Sequence, residues 1–168
     1  MTYIHQYLSP MGQITLASNG EALTGLWFEG QKYFGSTLDS CRQERNLFVF
    51  EETKRWLDLY FQRKCPDFIP PLLFSSTPFR QAVWKILLTI PYGKTVSYGA
   101  IARTLQVSAQ AVGGAVGHNP ISIIVPCHRV VATNGNLTGY AAGLEKKAAL
   151  LSLEKADISA CFTTEKGG

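Results

Sequence analysis

The sequence predicts an α+β protein, in which a small N-terminal antiparallel sheet with one helix precedes a mostly helical C-terminal domain that contains a helix-turn-helix. Short β-branched and aromatic runs separated by turn residues fill the first part of the chain, whereas helical spacing of apolar residues prevails later. Residues 67–76 carry two adjacent prolines and no periodicity, so they separate the two patterns. We therefore expect domains at residues 1–74 and 75–156, followed by a flexible tail at residues 157–168.

Three strands are predicted near the N-terminus, at residues 3–8, 13–18 and 21–28. The first two can form a hairpin, because Pro10 presets one position of the intervening turn and Gly12 tolerates the positive φ of another. Three consecutive strands make a small antiparallel sheet whose apolar face must be covered by another element.

A helix over residues 48–64 is the element predicted to cover this sheet. Aromatic and aliphatic side chains fall on one of its faces at helical spacing, and charged residues fill the other. The apolar face consists of Trp56, Leu57, Tyr60 and Phe61. The Cys65-Pro66 pair ends the helix.

The first and last helices of the C-terminal domain follow from capping signals and apolar spacing. Thr77 is a suitable N-cap and Pro78 suits the first helical position, so a helix begins there and continues to about Ile90. Its predicted buried side chains are Val83, Ile86, Leu87 and Ile90. The last helix is predicted over residues 144–155, with Leu144, Ala148 and Leu151 on one face.

Between them, residues 96–105 and 108–117 are predicted to form two helices joined by a tight turn, with Ser108 as the N-cap of the second. Helix pairs of this kind also occur in proteins that never touch DNA. The second helix contains no Lys, Arg or Asn that could read base edges in a major groove. Its small residues suit a close approach to a minor groove with little base discrimination.

Composition and charge indicate a globular protein with a basic second half. The chain of 168 residues is 46% apolar and 11% aromatic, which is enough for a sizeable core. Residues 1–74 hold 7 Lys/Arg and 8 Asp/Glu, whereas residues 75–168 hold 9 and 4. A polyanionic partner would therefore meet the second half. A few solvated lysines would explain the same asymmetry.

The cysteines stand at positions 41, 65, 127 and 161, which fits neither a zinc pattern nor a dense disulfide framework. They are expected to be reduced thiols. No apolar run approaches the roughly 20 residues of a membrane span, and the N-terminus lacks the apolar block of a signal peptide. We therefore expect a soluble, cytoplasmic protein that does not enter a membrane.

Cys127, His128 and Arg129 stand in a row between two β-branched runs. The thiolate is the nucleophilic form of cysteine, and the pKa of a thiol falls beside a positive charge or an imidazole, so this triplet is suited to chemistry. A structural cysteine at a strand end is the alternative. Asn119 upstream and Glu154 downstream add an amide and a carboxylate, so a complete nucleophilic site can be assembled from one segment.

The run over residues 119–131 resembles the active-site region of the O6-alkylguanine-DNA alkyltransferases, which are methylated-DNA:protein-cysteine methyltransferases. The resemblance is carried by Asn119-Pro120, by Pro126-Cys127-His128-Arg129-Val130 and by Thr138-Gly139-Tyr140. It is close over residues 78–154. The earlier residues match that family only in layout, and this layout implies a ribonuclease H-like N-terminal domain.

The resemblance implies repair of DNA by direct damage reversal. Cys127 would take the alkyl group of O6-alkylguanine, or of O4-alkylthymine, and keep it in a single irreversible event. His128 would remove the thiol proton through a bound water, and Glu154 would hold the imidazole. Tyr98 would protonate the departing guanine, and Asn119 would brace the turn that contains the site.

The residues alone leave other interpretations of three of these side chains open. Tyr98 could be a core aromatic residue. Asn119 could cap the end of the third helix of the C-terminal domain. Glu154 could be a solvated carboxylate at the edge of its helix.

The resemblance also implies double-stranded DNA as the partner, bound by a monomer without strong sequence preference, with the damaged base turned out of the stack. The protein would then be associated with the nucleoid, or be nuclear in a eukaryote. The predicted DNA-contacting residues are Gln110, Ala109, Ala111, Gly113 and Arg129. Arg129 could instead tie the two halves of the chain together. The predicted walls of the base pocket are Val125, Tyr140, Ala141 and Gly143.

No cofactor is expected, and no metal. Some relatives bind zinc in the N-terminal domain, but His5, Cys41 and Cys65 of this chain do not form a recognisable ligand set.

The chain departs from the family pattern at Gln110 and Ala141. Relatives place an arginine three residues before the Gly-Gly pair, where it fills the hole left by the extruded base, and the turn ahead of it is two residues longer than here. Some relatives have serine at the position of Ala141, so hydrogen bonding to the guanine oxygen would fall to backbone amides in this chain.

Two other functions compete with alkyl transfer. A damage sensor that binds DNA without transfer is disfavoured, because non-transferring relatives replace the cysteine and this chain retains Cys127. A Cys-His hydrolase unrelated to DNA is disfavoured, because no oxyanion-hole signature accompanies the Cys-His pair in this sequence.

Overall fold

The computed structural model describes residues 1–154, which fall into two compact units. The first unit comprises Met1–Ser75 together with Pro120–Ile124, and the second comprises Ser76–Asn119 together with the chain from Val125 onward. The predicted α+β fold class is confirmed. Membership of Pro120–Ile124 in the first unit had no sequence signal, because these five residues lie between two stretches of the second unit.

A four-stranded sheet forms the centre of the first unit, in the order β3-β2-β1-β4. The strands are β1 (Thr2–Ser9), β2 (Gly12–Ser18), β3 (Leu23–Phe28) and β4 (Arg42–Glu44). The first two form the predicted hairpin, in which Ser9 pairs with Gly12 and Gly12 has a φ of +117°. β3 begins later than predicted, because the Asn19 side chain accepts hydrogen bonds from the amides of Glu21 and Ala22 and holds them in a turn.

Strand β4 was not predicted, and it pairs with β1 in parallel, so the sheet is not purely antiparallel. Its three residues are polar and exposed, so they show no alternation of apolar and polar side chains.

Two segments distant in the sequence pair with β3. Leu23 bridges to Leu72, which lies within the stretch predicted to be a linker. The Leu26 amide donates to the Pro120 carbonyl at 2.9 Å, and the Ser122 amide donates to the Leu26 carbonyl at 2.9 Å. Residues 120–122 therefore continue the sheet of the first unit.

Helix α1 (Phe48–Phe61) buries Trp56, Leu57 and Tyr60 as predicted. It ends three residues before the predicted boundary, because Arg63 adopts a left-handed φ of +63° that a helix cannot continue. The Tyr7 hydroxyl donates to Asp58 at 2.6 Å, which joins β1 to α1.

The second unit contains four helices and a two-stranded parallel sheet among the described residues. The elements are α2 (Pro78–Leu87), β5 (Val96–Ser97), α3 (Tyr98–Leu105), α4 (Ala109–Gly117), β6 (Val130–Val131) and α5 (Leu144–Leu153). A 3-10 helix over Cys127–Arg129 precedes β6. The prediction that residues 96 and 97 are helical is wrong: Val96 pairs with Val130 in the sheet, and Ser97 is the N-cap of α3.

Side-chain caps begin three of these helices. The hydroxyls of Thr77, Ser97 and Ser108 each accept a hydrogen bond from a backbone amide three residues later. Thr77 and Ser108 were predicted as caps.

The core of the second unit joins its helices. The Trp84 indole donates to the Ala115 carbonyl at 2.8 Å, which fixes α2 against α4. The predicted face of α5 is confirmed, because Leu151 belongs to a buried cluster with Val131 and Leu137, and Leu144 and Ala148 pack against it.

The predicted tail at residues 157–168 lies outside the described residues, and so does Cys161. No helix within residues 1–154 is long and apolar enough to cross a membrane. In the same part of the chain, no group of three His, Cys, Asp or Glu side chains is placed to hold a metal ion.

Candidate active site

Cys127 lies at the end of two successive tight turns. The Ile124 amide donates to the Ser122 carbonyl at 2.8 Å, with Ile123 between them at a φ of +70°. The Cys127 amide donates to the Val125 carbonyl at 2.8 Å around Pro126, whose φ of −82° and ψ of 65° are those of an inverse γ-turn. Cys127 then opens the 3-10 helix with 5% of its surface exposed.

Asn119 hydrogen-bonds to this backbone. Its side-chain amide donates to the Val125 carbonyl at 2.8 Å, so the residues on the two sides of Pro120–Ile124 are joined directly. The Asn119 side chain also hydrogen-bonds to Cys127. The bracing role of Asn119 stays a prediction.

His128 and Glu154 form a buried pair. His128 Nε2 donates to Glu154 Oε2 at 2.7 Å, and neither side chain is accessible to solvent. Because Nε2 carries the proton in this bond, Nδ1 is the basic nitrogen of the ring. Burial lowers the pKa of His128 more than the carboxylate raises it, so the imidazole is neutral at rest.

Arg129 completes the environment of the carboxylate. Its Nε donates to Glu154 Oε1 at 2.8 Å and its Nη2 donates to Oε2 at 3.1 Å, in a bidentate arrangement. Burial alone would raise the pKa of Glu154, but the hydrogen bonds and charges of His128 and Arg129 hold that pKa well below its usual range. The carboxylate is therefore an anion at any physiological pH.

Arg129 itself is 8% exposed, and its Nη1 donates to the Ile90 carbonyl at 2.7 Å. The contacts described for it thus lie within the second unit. Contact of Arg129 with DNA, or with the other half of the chain, stays a prediction. Sequence reasoning missed its ion pair with Glu154, since two residues 25 positions apart in the chain give no signal of the contact.

The thiol of Cys127 is neutral at rest. Burial raises its pKa, while hydrogen bonds from the Asn119 and Tyr140 side chains and the positive charge of Lys147 act in the opposite direction. The site therefore holds a protonated thiol beside a neutral imidazole, together with groups that would stabilise a thiolate.

Tyr98 is the first residue of α3 and is partly buried. Burial raises the pKa of its phenol, and a hydrogen bond with the Thr138 side chain lowers it. The Cys127 thiolate, when formed, raises it further. The phenol thus keeps its proton in the resting site, close enough to Cys127 for the two groups to interact electrostatically.

Lys147 is a residue of this site that sequence reasoning missed. Its side chain is fully buried, and its ammonium donates to the carbonyls of Leu137 at 2.5 Å and Gly139 at 3.0 Å. It also lies 5.8 Å from the centre of the Tyr98 ring. A signal was present, because Lys147 stands three residues after Leu144 and four before Leu151, on the apolar face of α5.

The predicted pocket residues differ in exposure. Val125 is buried, Tyr140 and Ala141 are partly buried, and Gly143 is exposed with a φ of +101°. Of these, Val125 and Tyr140 are tied to the site directly, through Asn119 and Cys127 respectively.

The predicted DNA-contacting residues of α4 share an accessible surface. Ala109, Gln110 and Ala111 are exposed, and Gly113 is partly exposed. A Cβ added at Gly113 or Gly114 would meet no atom within 4 Å.

The fold and the site define a helix-turn-helix protein with a buried cysteine and a buried His-Glu pair beside it. Residues 78–156 match the family model "6-O-methylguanine DNA methyltransferase, DNA binding domain", and residues 2–74 match "6-O-methylguanine DNA methyltransferase, ribonuclease-like domain". The chain belongs to the O6-methylguanine-DNA methyltransferase family, as its sequence suggested.

Individual relatives agree with this assignment. The chain is 45% identical over 157 residues to the methylated-DNA--protein-cysteine methyltransferase of Mycobacterium tuberculosis strain H37Rv, covering 92% of this chain and 93% of the relative. It is 42% identical to the protein of the same name from Methanosarcina acetivorans, covering 90% and 97%. The crystal structure of Mycobacterium tuberculosis OGT in complex with DNA superposes with a TM-score of 0.82 at 44% identity, covering 91% of this chain and 92% of that one.

Proposed function

We propose that this chain repairs DNA by moving the methyl or other alkyl group of O6-alkylguanine onto Cys127, once per protein molecule. The observation that supports this most is the burial of Cys127 beside a neutral imidazole whose other nitrogen is bound to an anionic carboxylate. A soft thiolate suits attack on a saturated carbon better than a hydroxyl would.

The reaction begins with the thiol proton. His128 accepts it at Nδ1 through a water molecule, and Glu154 stabilises the imidazolium that forms. Arg129 balances the charge of Glu154, so the carboxylate holds the ring without competing for its proton. The sulfur is then a thiolate stabilised by Asn119, Tyr140 and the charge of Lys147.

The thiolate attacks the alkyl carbon, so an S–C bond forms while the C–O6 bond breaks and its electron pair stays on the guanine. Tyr98 gives its proton to a ring nitrogen of the guanine. The phenolate then takes up the proton that left the thiol and was held on His128. The products are unmodified guanine and S-alkylcysteine. Because a thioether has no group that water readily displaces, the protein is consumed.

The partner is double-stranded DNA that contains the damaged base, and it binds the helix-turn-helix of α3 and α4. Since the reacting carbon is enclosed in the duplex, the nucleotide must be turned out before attack. The small residues of α4 favour shallow contact with a minor groove, so binding has little sequence preference. One chain is sufficient for the reaction, and we infer that it acts as a monomer.

Intact-mass analysis after incubation with a duplex that contains O6-methylguanine tests this function. The wild-type chain should gain one methyl group on the peptide that contains Cys127, with no turnover beyond one per chain. Cys127→Ser should gain none while it keeps duplex affinity, which comes mainly from phosphate contacts. Cys65→Ser, at an exposed thiol, is the matched control and should take up the full equivalent.

Methyl uptake by the Cys127→Ser variant, or guanine release in excess of protein, would refute the proposal. Duplex binding without uptake by the wild-type chain would favour a damage sensor.

A further inference from the structure

The turn that follows α2 contacts the Arg129–Glu154 ion pair at successive positions. The Ile90 carbonyl accepts a hydrogen bond from Arg129 Nη1 at 2.7 Å. The guanidinium carbon of Arg129 lies 5.8 Å from the centre of the Tyr92 ring, within the range of a cation–π contact. The Gly93 amide donates to Glu154 Oε1 at 3.0 Å. We call residues 90–94 the 90–94 turn.

Gly93 is the residue of this turn whose backbone conformation is hardest for any other residue to adopt. Its φ is +79°, and the Lys94 amide donates to the Pro91 carbonyl at 3.1 Å across it. A turn with positive φ at its third residue favours glycine strongly. In addition, a Cβ at Gly93 would stand 3.1 Å from the backbone carbonyl oxygen of Glu154.

Glu154 is thus held by Gly93 on two sides. Its carboxylate accepts the Gly93 amide, and its own carbonyl packs against the face of Gly93 that lacks a side chain. Glu154 is the C-cap of α5, and its carboxylate is held by Gly93, His128 and Arg129, all of which lie outside that helix. The position of the carboxylate that orients His128 therefore depends on the 90–94 turn.

We propose that Gly93 is a positioning residue for alkyl transfer, which acts by fixing Glu154 and through it the His128 ring. This inference rests on the proposed function for its kinetic effect, but its structural consequence can be measured without any reaction. The Gly93 amide supplies the carboxylate with a donor at Oε1, which leaves Oε2 aligned with His128 Nε2. A displaced carboxylate would rotate the His128 ring, so that its Nδ1 would no longer be aligned to accept the thiol proton. Small misplacements of this kind reduce rates strongly.

Gly93→Ala is the direct test, and Gly30→Ala is its matched control. Gly30 has a φ of +80°, almost the same as Gly93, but a Cβ there would meet no atom within 4 Å. Both variants carry the same backbone penalty, whereas only Gly93→Ala displaces Glu154. The rate of alkyl transfer is measured with the free base O6-benzylguanine, so that DNA binding does not enter.

We expect Gly93→Ala to lower this rate between about tenfold and a hundredfold, and Gly30→Ala to leave it within about twofold of wild type. Gly93→Asn separates strain from contact, because asparagine tolerates a positive φ but brings the same Cβ. It should be as slow as Gly93→Ala.

A spectroscopic readout distinguishes positioning from a general loss of structure. The His128 Nε2 proton, hydrogen-bonded to a buried carboxylate, should give a downfield proton resonance in the wild-type protein and in Gly30→Ala. This resonance should move or broaden in the Gly93 variants while the backbone amide resonances of α5 stay in place.

Equal rates and an unchanged His128 resonance in Gly93→Ala and Gly30→Ala would overturn the proposal. Should the Gly93 variants not fold, hydrogen exchange of the wild-type protein decides: the Gly93 amide should be protected like the interior of α2, and exchange at the rate of an open turn would count against it. Absence of transfer by the wild-type chain would refute the proposed function but would leave the resonance test of Gly93 intact.

Discussion

The Glu154 carboxylate accepts hydrogen bonds from Gly93, His128 and Arg129 while it is buried, so its charge belongs to the fold as well as to the site. Its pKa in the folded protein lies below the value of about 4.3 expected in an unfolded chain. The stability that this difference contributes is fully present above that unfolded value. It is lost as the pH falls through the lower pKa of the folded state.

Replacement of Glu154 by glutamine should therefore lower the free energy of unfolding at pH 7 by about 3–5 kcal/mol, because Arg129 keeps a buried charge without its counter-ion. Urea denaturation at several pH values measures the effect. The difference in free energy of unfolding between the variant and the wild type should become smaller in acid. Glu145→Gln, at an exposed position in the first turn of the same helix, is the control and should change stability by less than about 0.5 kcal/mol. A gap that does not depend on pH would contradict the assignment of the charge to Glu154.

The same residues show what the sequence can and cannot tell about a site. Cys127, His128 and Glu154 were predicted from a local motif and from family spacing, and the structure brings His128 and Glu154 together. The ion pair of Arg129 and the burial of Lys147 were not predicted. Arg and Lys are most often solvated, and only tertiary contacts decide which of them are buried.

Among the helices, α4 is held by the hydrogen bond from Trp84 on one side and presents small side chains on its exposed surface. Gly113 lies inside this helix, and a methyl group added there would meet open space. Gly113→Ala should therefore raise the stability of the protein without DNA by roughly 0.5–1 kcal/mol, because alanine loses less backbone entropy in a helix.

The same substitution should weaken binding to duplex DNA, because the added methyl group occupies the surface proposed to approach the minor groove. Thermal unfolding of the protein alone and fluorescence titration with a duplex measure the two effects. Gly113→Leu extends the series and should weaken binding further. A gain in stability with unchanged affinity would assign the DNA-binding surface to another face.

Gln110, the second residue of α4, is exposed, and the family pattern predicts an arginine at this position. Extrusion of a base costs a few kcal/mol, and a planar guanidinium in the gap recovers part of it by stacking. If arginine recovers about 1.4 kcal/mol more than glutamine, Gln110→Arg should speed transfer from duplex DNA about tenfold. It should change little for free O6-benzylguanine.

Single-turnover rates of wild type, Gln110→Arg and Gln110→Ala on matched duplex and single-strand substrates measure this contribution. Three equal rates on the duplex would mean that residue 110 does not fill the gap, as a turn shortened by two residues would allow.

Element prediction succeeded where the local signal was strong. The capped helices α2 and α4 and the hairpin of β1 and β2 follow from residues close in sequence. The short strands β4, β5 and β6 were missed, because two or three residues show no period and their partners are distant in the chain. Val96 is a clear case, since its assignment to a strand depends on Val130.

For the whole molecule, the sequence predicted two domains and a boundary near residue 75. The structure forms two compact units, and the first continuous segment of the first unit ends at Ser75. It could not predict that Pro120–Ile124 joins the first unit. That segment is apolar and would suit any core, and its place is decided by backbone pairing with Leu26.

This pairing affects how the protein can be divided. A gene fragment for residues 1–75 would encode a sheet whose strand β3 has lost its neighbour at Leu26, and a fragment for residues 76–168 would carry Ile121, Ile123 and Ile124 with no strand to cover them. Exposed strand edges and apolar side chains promote aggregation. The two halves are therefore a poor choice for separate expression or for recombination with other proteins, and the chain should be inherited and engineered as one piece.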